Sequence, residues 1–117
     1  MTESAITSLR EQNLSDDLAF AQFWKDNRLS FRPKSRRSIR KELRDKKVAS
    51  EIIEQVTSDI DDDKIAYELG SRRLPSLAHL DYPNFRRRLS SYLAYRGFSY
   101  EVIRDTVARL WREREQS

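Results

Sequence analysis

The chain reads the same way twice. Residues 15–60 align with residues 60–110, and a single loop-length change interrupts the match. In the first stretch the offset is 45: Asp16-Asp17 pairs with Asp61-Asp62, Ala21 with Ala66, and Arg28 with Arg73. A loop five residues longer in the second copy then raises the offset to 50. Pro33 pairs with Pro83, Arg36-Arg37 with Arg86-Arg87, Ile39 with Leu89, Leu43 with Leu93, Val48 with Phe98, Glu51 with Glu101, Ile53 with Ile103 and Ile60 with Leu110. The matches fall on apolar positions and on turn residues, the pattern of a duplicated structural unit. A unit this short cannot bury an apolar face alone, so stacking of neighbours must supply the core.

Each copy reads as three helices. In the first, Ser15 is a good N-cap with Asp16 and Asp17 in the opening turn. Leu18, Phe20, Ala21, Phe23 and Trp24 give that helix a wide apolar face ending before Pro33. A second helix from about Ser35 carries Ile39 and Leu43. A third, from about Ser50 to Asp59, turns Ile52, Ile53 and Val56 inward. The second copy repeats the plan from about Asp62 to Arg73 (Ile65, Ala66, Leu69), from Asn84 to Arg96 (Phe85, Leu89, Tyr92, Leu93), and after a Ser99 cap (Val102, Ile103, Thr106, Val107, Leu110, Trp111). Gly97 sits where a helix ends with positive φ. Residues 2–12 form one more amphipathic helix, with Ala5, Ile6 and Leu9. The expected organisation is a helix over 1–13 that closes a preceding incomplete repeat, tri-helical repeats at 14–60 and 61–114, and a tail at 115–117. The expected fold is all-α, with tandem three-helix repeats forming an elongated, curved array.

Composition narrows the function. Two glycines and three prolines in 117 residues are too few for an all-β sandwich or barrel. Without cysteine there are no disulfides, no thiol catalysis and no zinc-thiolate site, which fits a reducing cytoplasm. No apolar run is long enough to span a membrane, and the opening residues lack the apolar region of a secretory signal. The single histidine, His79, has no His or Cys neighbour and reads as a surface or packing residue, not a metal ligand. Neither glycine belongs to a phosphate-cradling loop, and no serine sits in a nucleophile elbow. Asp59, Asp61, Asp62 and Asp63 read as helix-entry acids that complement the dipole, not as a metal site. The chain is expected to act by binding, without cofactor, metal or catalytic residues.

The charge is uneven. Residues 32–47 hold nine Lys/Arg against Glu42 and Asp45, more positive than the whole-chain net charge of +4. Arg37, Arg40, Lys41 and Arg44 fall at i, i+3, i+4 and i+7 and make one basic stripe on the second helix. The same stripe in the second copy reads Arg87, Ser90, Ser91, Ala94. Arg36-Arg37 and Arg86-Arg87-Arg88 also crowd the starts of both second helices, where cations oppose the dipole unless an anion sits there too. The candidate contact residues are Arg36, Arg37, Arg40, Lys41, Arg44, Arg86, Arg87 and Arg88, facing an anionic partner.

The run DDLAFAQFWKDNR (16–28), then Pro33, then IRKELRDKKVASEIIEQV (39–56), resembles the RecX family of bacterial RecA regulators. So does RRLSSYLAYRGFSYEVI (87–103), with Arg96-Gly97-Phe98 before Ser99. The resemblance covers about residues 3–112. Its short motifs, EL-x-x-K and RGF, are specific through their order on a tandem repeat. Two positions depart from the family pattern: Lys47 replaces the usual glycine before Val48, and Lys46 stands where the second copy has Arg96. Family members are usually built from three such repeats, so the resemblance assigns the last two here, preceded by the final helix of the first.

The resemblance implies a cytoplasmic, monomeric modulator of RecA in DNA repair, recombination and the SOS response. Such a protein binds the RecA–single-stranded DNA filament, lies in its helical groove, and suppresses strand exchange, ATPase and coprotease activities. Two units in tandem can engage neighbouring RecA subunits and gain effective concentration. A non-specific basic DNA-binding helical module is the alternative. Base readout is disfavoured because one third helix, SEIIEQVTSD, is acidic and lacks Asn, Arg and Lys. A third reading is a passive scaffold with charged solvent faces.

Overall fold

The computed structural model describes the backbone of residues 2–116 and the side chains of residues 13–116. Six helices follow one another, with no strand among the described residues: α1 (Thr2–Phe31), α2 (Arg36–Asp45), α3 (Ser50–Thr57), α4 (Asp62–Leu77), α5 (Tyr82–Tyr95) and α6 (Tyr100–Glu115). The all-α class expected from the repeat is the one adopted. Contacts divide the chain into two compact units. The first draws on residues up to Arg32 and on 39–59; the second draws on 33–38 and on residues from Ile60 onward.

In the first unit α1 packs on α3, and Ala21, Ile39, Leu43, Val48, Ile52, Ile53 and Val56 are buried. In the second, α4, α5 and α6 pack on one another around Ala66, Leu69, Leu77, Phe85, Leu89, Leu93, Phe98, Ile103, Val107 and Leu110. The positions paired by the repeat are buried in pairs: Ala21 with Ala66, Ile39 with Leu89, Leu43 with Leu93, Val48 with Phe98, and Ile53 with Ile103. Four helices start on a side-chain oxygen that accepts the N–H three residues on. The caps are Ser35 to Ser38 (3.1 Å), Asp61 to Lys64 (3.3 Å), Asp81 to Asn84 (3.1 Å) and Ser99 to Val102 (3.3 Å).

Four expectations are corrected. First, no helix begins at Ser15, because α1 runs through it without a break. A serine inside a helix costs only a few tenths of a kcal/mol, too little to stop a helix with helix formers on both sides. The apolar face assigned to Ala5, Ile6 and Leu9 lies outside the described side chains. Second, the inward face of α1 at the third-helix contact is Ala21 and Lys25; Phe20 and Phe23 are exposed. Lys25 is only 7% exposed. Its stem lies in the core while Nζ reaches the Asp59 carboxylate at 3.1 Å, the geometry of a snorkelling lysine. Third, α4 continues past Arg73 to Leu77 with Pro75 inside it. Leu77 is buried and Leu74 packs against the same core, and that burial offsets the hydrogen bond proline cannot donate. Fourth, α5 begins at Tyr82, not Asn84, because Pro83 is in the first turn, where a missing N–H has no partner to lose.

The second helix of each unit ends in the same motif. Val48 N–H bonds to Leu43 O (3.1 Å) and Lys47 N–H to Arg44 O (2.9 Å); Phe98 N–H bonds to Leu93 O (3.2 Å) and Gly97 N–H to Ala94 O (3.0 Å). This is a Schellman closure, which needs positive φ at the residue after the cap. Gly97 supplies φ +91° and Lys47 is held at φ +67°. A side chain in the left-handed region is strained. Lys47→Gly is therefore expected to stabilise the first unit by about 0.5–1 kcal/mol after glycine's greater unfolded-state entropy is counted. Urea denaturation followed by circular dichroism checks it, and an unchanged or lowered midpoint would refute the strain assignment.

Candidate partner-binding surfaces

Helix α2 turns Ile39 and Leu43 into the core, so its 3.6-residue period sets the remaining residues at graded distances from solvent. Arg37, Lys41 and Arg44 are exposed. Arg37 and Arg44 make no hydrogen bond or ion pair among the described residues, and Lys41 makes a solvent-exposed contact with Asp45 at 3.0 Å. Such a pair contributes only about 0.3–0.5 kcal/mol. Arg40 differs. Its Nε donates to Thr57 Oγ1 at 2.8 Å and its Nη2 lies 2.9 Å from Glu54 Oε2, so the side chain reaches across to α3. Thr57 is fully buried and donates in turn to Ile53 O at 2.6 Å. Arg36 is also engaged: its guanidinium donates to the Ile60 carbonyl, and its backbone N–H donates to Asp62 Oδ1 at 2.8 Å.

The cations of α2 thus divide into outward stripe members (Arg37, Lys41, Arg44) and inward residues (Arg40 of the stripe, and Arg36 beside it). Arg40→Ala is expected to cost about 1–2 kcal/mol, because it leaves a buried hydroxyl without its donor. Arg37→Ala should stay within about 0.5 kcal/mol. Parallel urea titrations of the two variants check this, and equal midpoints would contradict the inward role of Arg40.

Arg86, Arg87 and Arg88 are exposed in the first half of α5. Arg87 Nη2 donates to Asn84 Oδ1 at 2.9 Å. Arg86 and Arg87 border a groove between α5 and α6. Arg88 borders, with Arg87, a second depression between α4 and α5 that includes Arg73 and Tyr92.

The sequence reading missed a cluster around Trp24. Arg28 Cζ and Lys46 Nζ lie 4.5 and 4.4 Å from the indole centroid. Glu42 Oε2 accepts from both Trp24 Nε1 (3.1 Å) and Arg28 Nε (2.9 Å). Phe23 and Phe31, 64% and 77% exposed, lie on the same helix. At 100° per residue, positions 20, 23, 24 and 31 share one face, a signal available in the sequence, where Phe20, Phe23 and Trp24 were assigned to the apolar face and Phe31 was left out of it. Tyr82 packs edge-on to Trp111 at 5.1 Å, whereas Tyr95 is 88% exposed.

Three of the four acids read as helix-entry residues have a protein partner: Asp59 on Lys25, Asp61 on the Lys64 N–H, Asp62 on the Arg36 N–H. Among the described residues no three His, Cys, Asp or Glu side chains are grouped to hold a metal ion, and no helix is long and apolar enough to cross a membrane.

Two family models match. The RecX second three-helix domain matches residues 16–56, and the RecX third three-helix domain matches residues 61–107. Among curated proteins, the chain is similar to regulatory protein RecX of Amycolatopsis mediterranei, 32% identical over 91% of this chain and 65% of that protein. It is also similar to those of Chlorobium limicola (28% identical, 95% and 70%) and Prosthecochloris aestuarii (31%, 92% and 71%). The chain thus spans about two thirds of the length of these relatives. No solved structure matches it.

Proposed function

The chain belongs to the RecX family, and from that premise we propose that it is a modulator of RecA that binds the RecA–single-stranded DNA filament and suppresses its recombinase, ATPase and coprotease activities. On this reading it works in the cytoplasm as a monomer, by binding alone and with no catalytic step. Its two tri-helical repeats span 14–60 and 61–114, and it lies in the filament's helical groove. The observation that carries the reading is the outward half of the α2 stripe. Arg37, Lys41 and Arg44 stand in solvent with no buried partner, so their positive field is available to an anionic surface. Arg86, Arg87 and Arg88 support it from α5. Arg36 and Arg40 belong to the same cluster and act mainly by setting the position of α2.

RecA ATPase on single-stranded DNA, titrated with this chain at physiological salt, tests the proposal. Inhibition that saturates near stoichiometric amounts is the result expected of groove occupancy. Inhibition complete at a small fraction of the RecA concentration would replace groove occupancy by capping of the filament end. No inhibition by the folded, helical chain would overturn the regulator reading. The basic DNA-binding module then becomes the better account, and its affinity for single strands should fall with log salt at a slope of about −0.7 per phosphate neutralised.

A further inference from the structure

The second unit carries a groove of about 790 Å³ between α5 and α6. Its floor is apolar: Phe98, Ile103 and Val107, with Ala94 and Ala108 beside them. Its rim is basic, with Arg86, Arg87 and Arg104, and no carboxylate lines it. The repeat explains why it is open. Its residues map at an offset of 50 onto the first unit, where Ser90 corresponds to Arg40, Arg104 to Glu54 and Val107 to Thr57. In the first unit those three residues are bonded together, Arg40 lying across from α2 to α3. In the second unit the bridging arginine is a serine, its acid is an arginine, and the buried hydroxyl is a valine. The same three positions that stitch one seam leave the other open, apolar and positive at its edge.

We propose that this α5–α6 groove docks an amphipathic helix of a partner protein, with a narrow apolar face flanked by carboxylates. Three features select that occupant. The wall from Tyr82 to Ala94 is about 18 Å long, the length of three helical turns. Ser90, Ser91, Ala94 and Ala108 are small, so a helix can approach closely and set its anchors on the apolar floor. The rim side chains are Arg86, Arg87 and Arg104, of which Arg104 makes an exposed pair with Asp105 at 3.3 Å, a contact that solvent screens; flanking acids are attracted to the other two and basic segments repelled. A single nucleic-acid strand fits less well. Of the three rings at the groove, Phe98 is buried and Tyr82 is edge-on to Trp111 at 5.1 Å, which leaves Tyr100 alone to stack a base, where a strand needs a ring for each of several successive bases. The inference goes beyond the regulator reading and does not depend on what the outward cations of α2 meet.

The test uses the full chain and a fluorescein-labelled designed helix of about 14 residues, a leucine stripe flanked by glutamates, with a lysine-flanked twin. Anisotropy should show binding of the acidic helix that weakens with salt, and no binding of the twin. The double variant Ser90→Arg/Arg104→Glu restores the arginine–glutamate bridge of the first unit's seam across the groove and should weaken binding by about 30-fold, the effect of losing a central anchor. Ala94→Glu, an exposed helix position that tolerates glutamate, should do the same and guards against misfolding of the double variant. Equal binding of both helices, or undiminished binding by both folded variants, would overturn the proposal. Displacement of the acidic helix by an oligothymidylate would overturn it in favour of a nucleic-acid strand.

Discussion

Replacing Gly97 by alanine is expected to lower the melting temperature of the second unit by roughly 10 °C or more. Two costs combine there. At φ +91° an L side chain is strained, and a Cβ would overlap the Ser38 hydroxyl and come within 2.7 Å of Ser35 Oγ. Neither serine can withdraw easily. Ser35 N–H bonds to Arg96 O at 3.1 Å, and Arg96 Nη1 donates to Pro33 O at 3.0 Å, so the segment before α2 is tied to the backbone on which the new methyl would grow. Conformational strain and overpacking together amount to about 2–4 kcal/mol. Gly70→Ala is the useful contrast. A Cβ there would overlap Leu110 Cδ1, but that atom ends a side chain that can turn, and alanine gains about 1 kcal/mol of helix propensity. Thermal melts of both variants decide the matter. A Gly97→Ala melt within about 2 °C of the parent, against the 4–8 °C that each kcal/mol is worth in a small domain, would show that the turn accommodates a side chain.

The triple variant Arg37→Glu/Lys41→Glu/Arg44→Glu is expected to raise the concentration needed for half-inhibition of RecA ATPase by more than about tenfold, since charge reversal at a complementary surface acts on both encounter and retention. Its fold should hold. Glutamate near the start of α2 favours the helix dipole and glutamate in its last turn opposes it, each by roughly 0.3–1 kcal/mol, so those terms nearly cancel, and loss of the exposed Lys41–Asp45 pair adds only about 0.3–0.5 kcal/mol. Circular dichroism checks that the helix content is unchanged. Binding to bare single-stranded DNA, measured beside the ATPase, identifies the surface met. If the cations touch phosphates, the salt slope should shrink by about 2, three contacts at about 0.7 each. If they touch RecA, inhibition falls while DNA binding keeps its slope. Unchanged inhibition would remove these residues from the contact surface.

Much of this architecture was legible because a repeat is a comparison a sequence makes with itself. Ile39 and Leu89, or Leu43 and Leu93, could be assigned to a core because each copy vouched for the other, and both members of each pair are fully buried. Gly97 announced its own conformation. What stayed illegible were residues whose role depends on reach. Arg40 and Arg37 look alike as members of a basic stripe, yet one side chain spans to Thr57 and the other stays in solvent. Lys25 sits in sequence where a surface lysine is expected, and only the position of Asp59 makes its burial tolerable. Lys47 stood out in the sequence only as a departure from glycine, and the backbone was needed to show that the lysine keeps the left-handed turn, at φ +67°. The open α5–α6 groove was implicit in Ser90, Arg104 and Val107, but it emerges as a difference only once Arg40 is seen closing the other seam.

The unbroken course of α1 has a consequence for inheritance. Its thirty residues form one rod about 45 Å long, so the backbone before Ser15 is geared to the first unit with no slack. Inserting one residue there would advance the upstream part by about 1.5 Å and rotate it by about 100°, turning away whatever face it presents. A loop at the same point would absorb that change. Insertions and deletions in this stretch should therefore survive only in sets that restore azimuth, three or four residues or seven at a time.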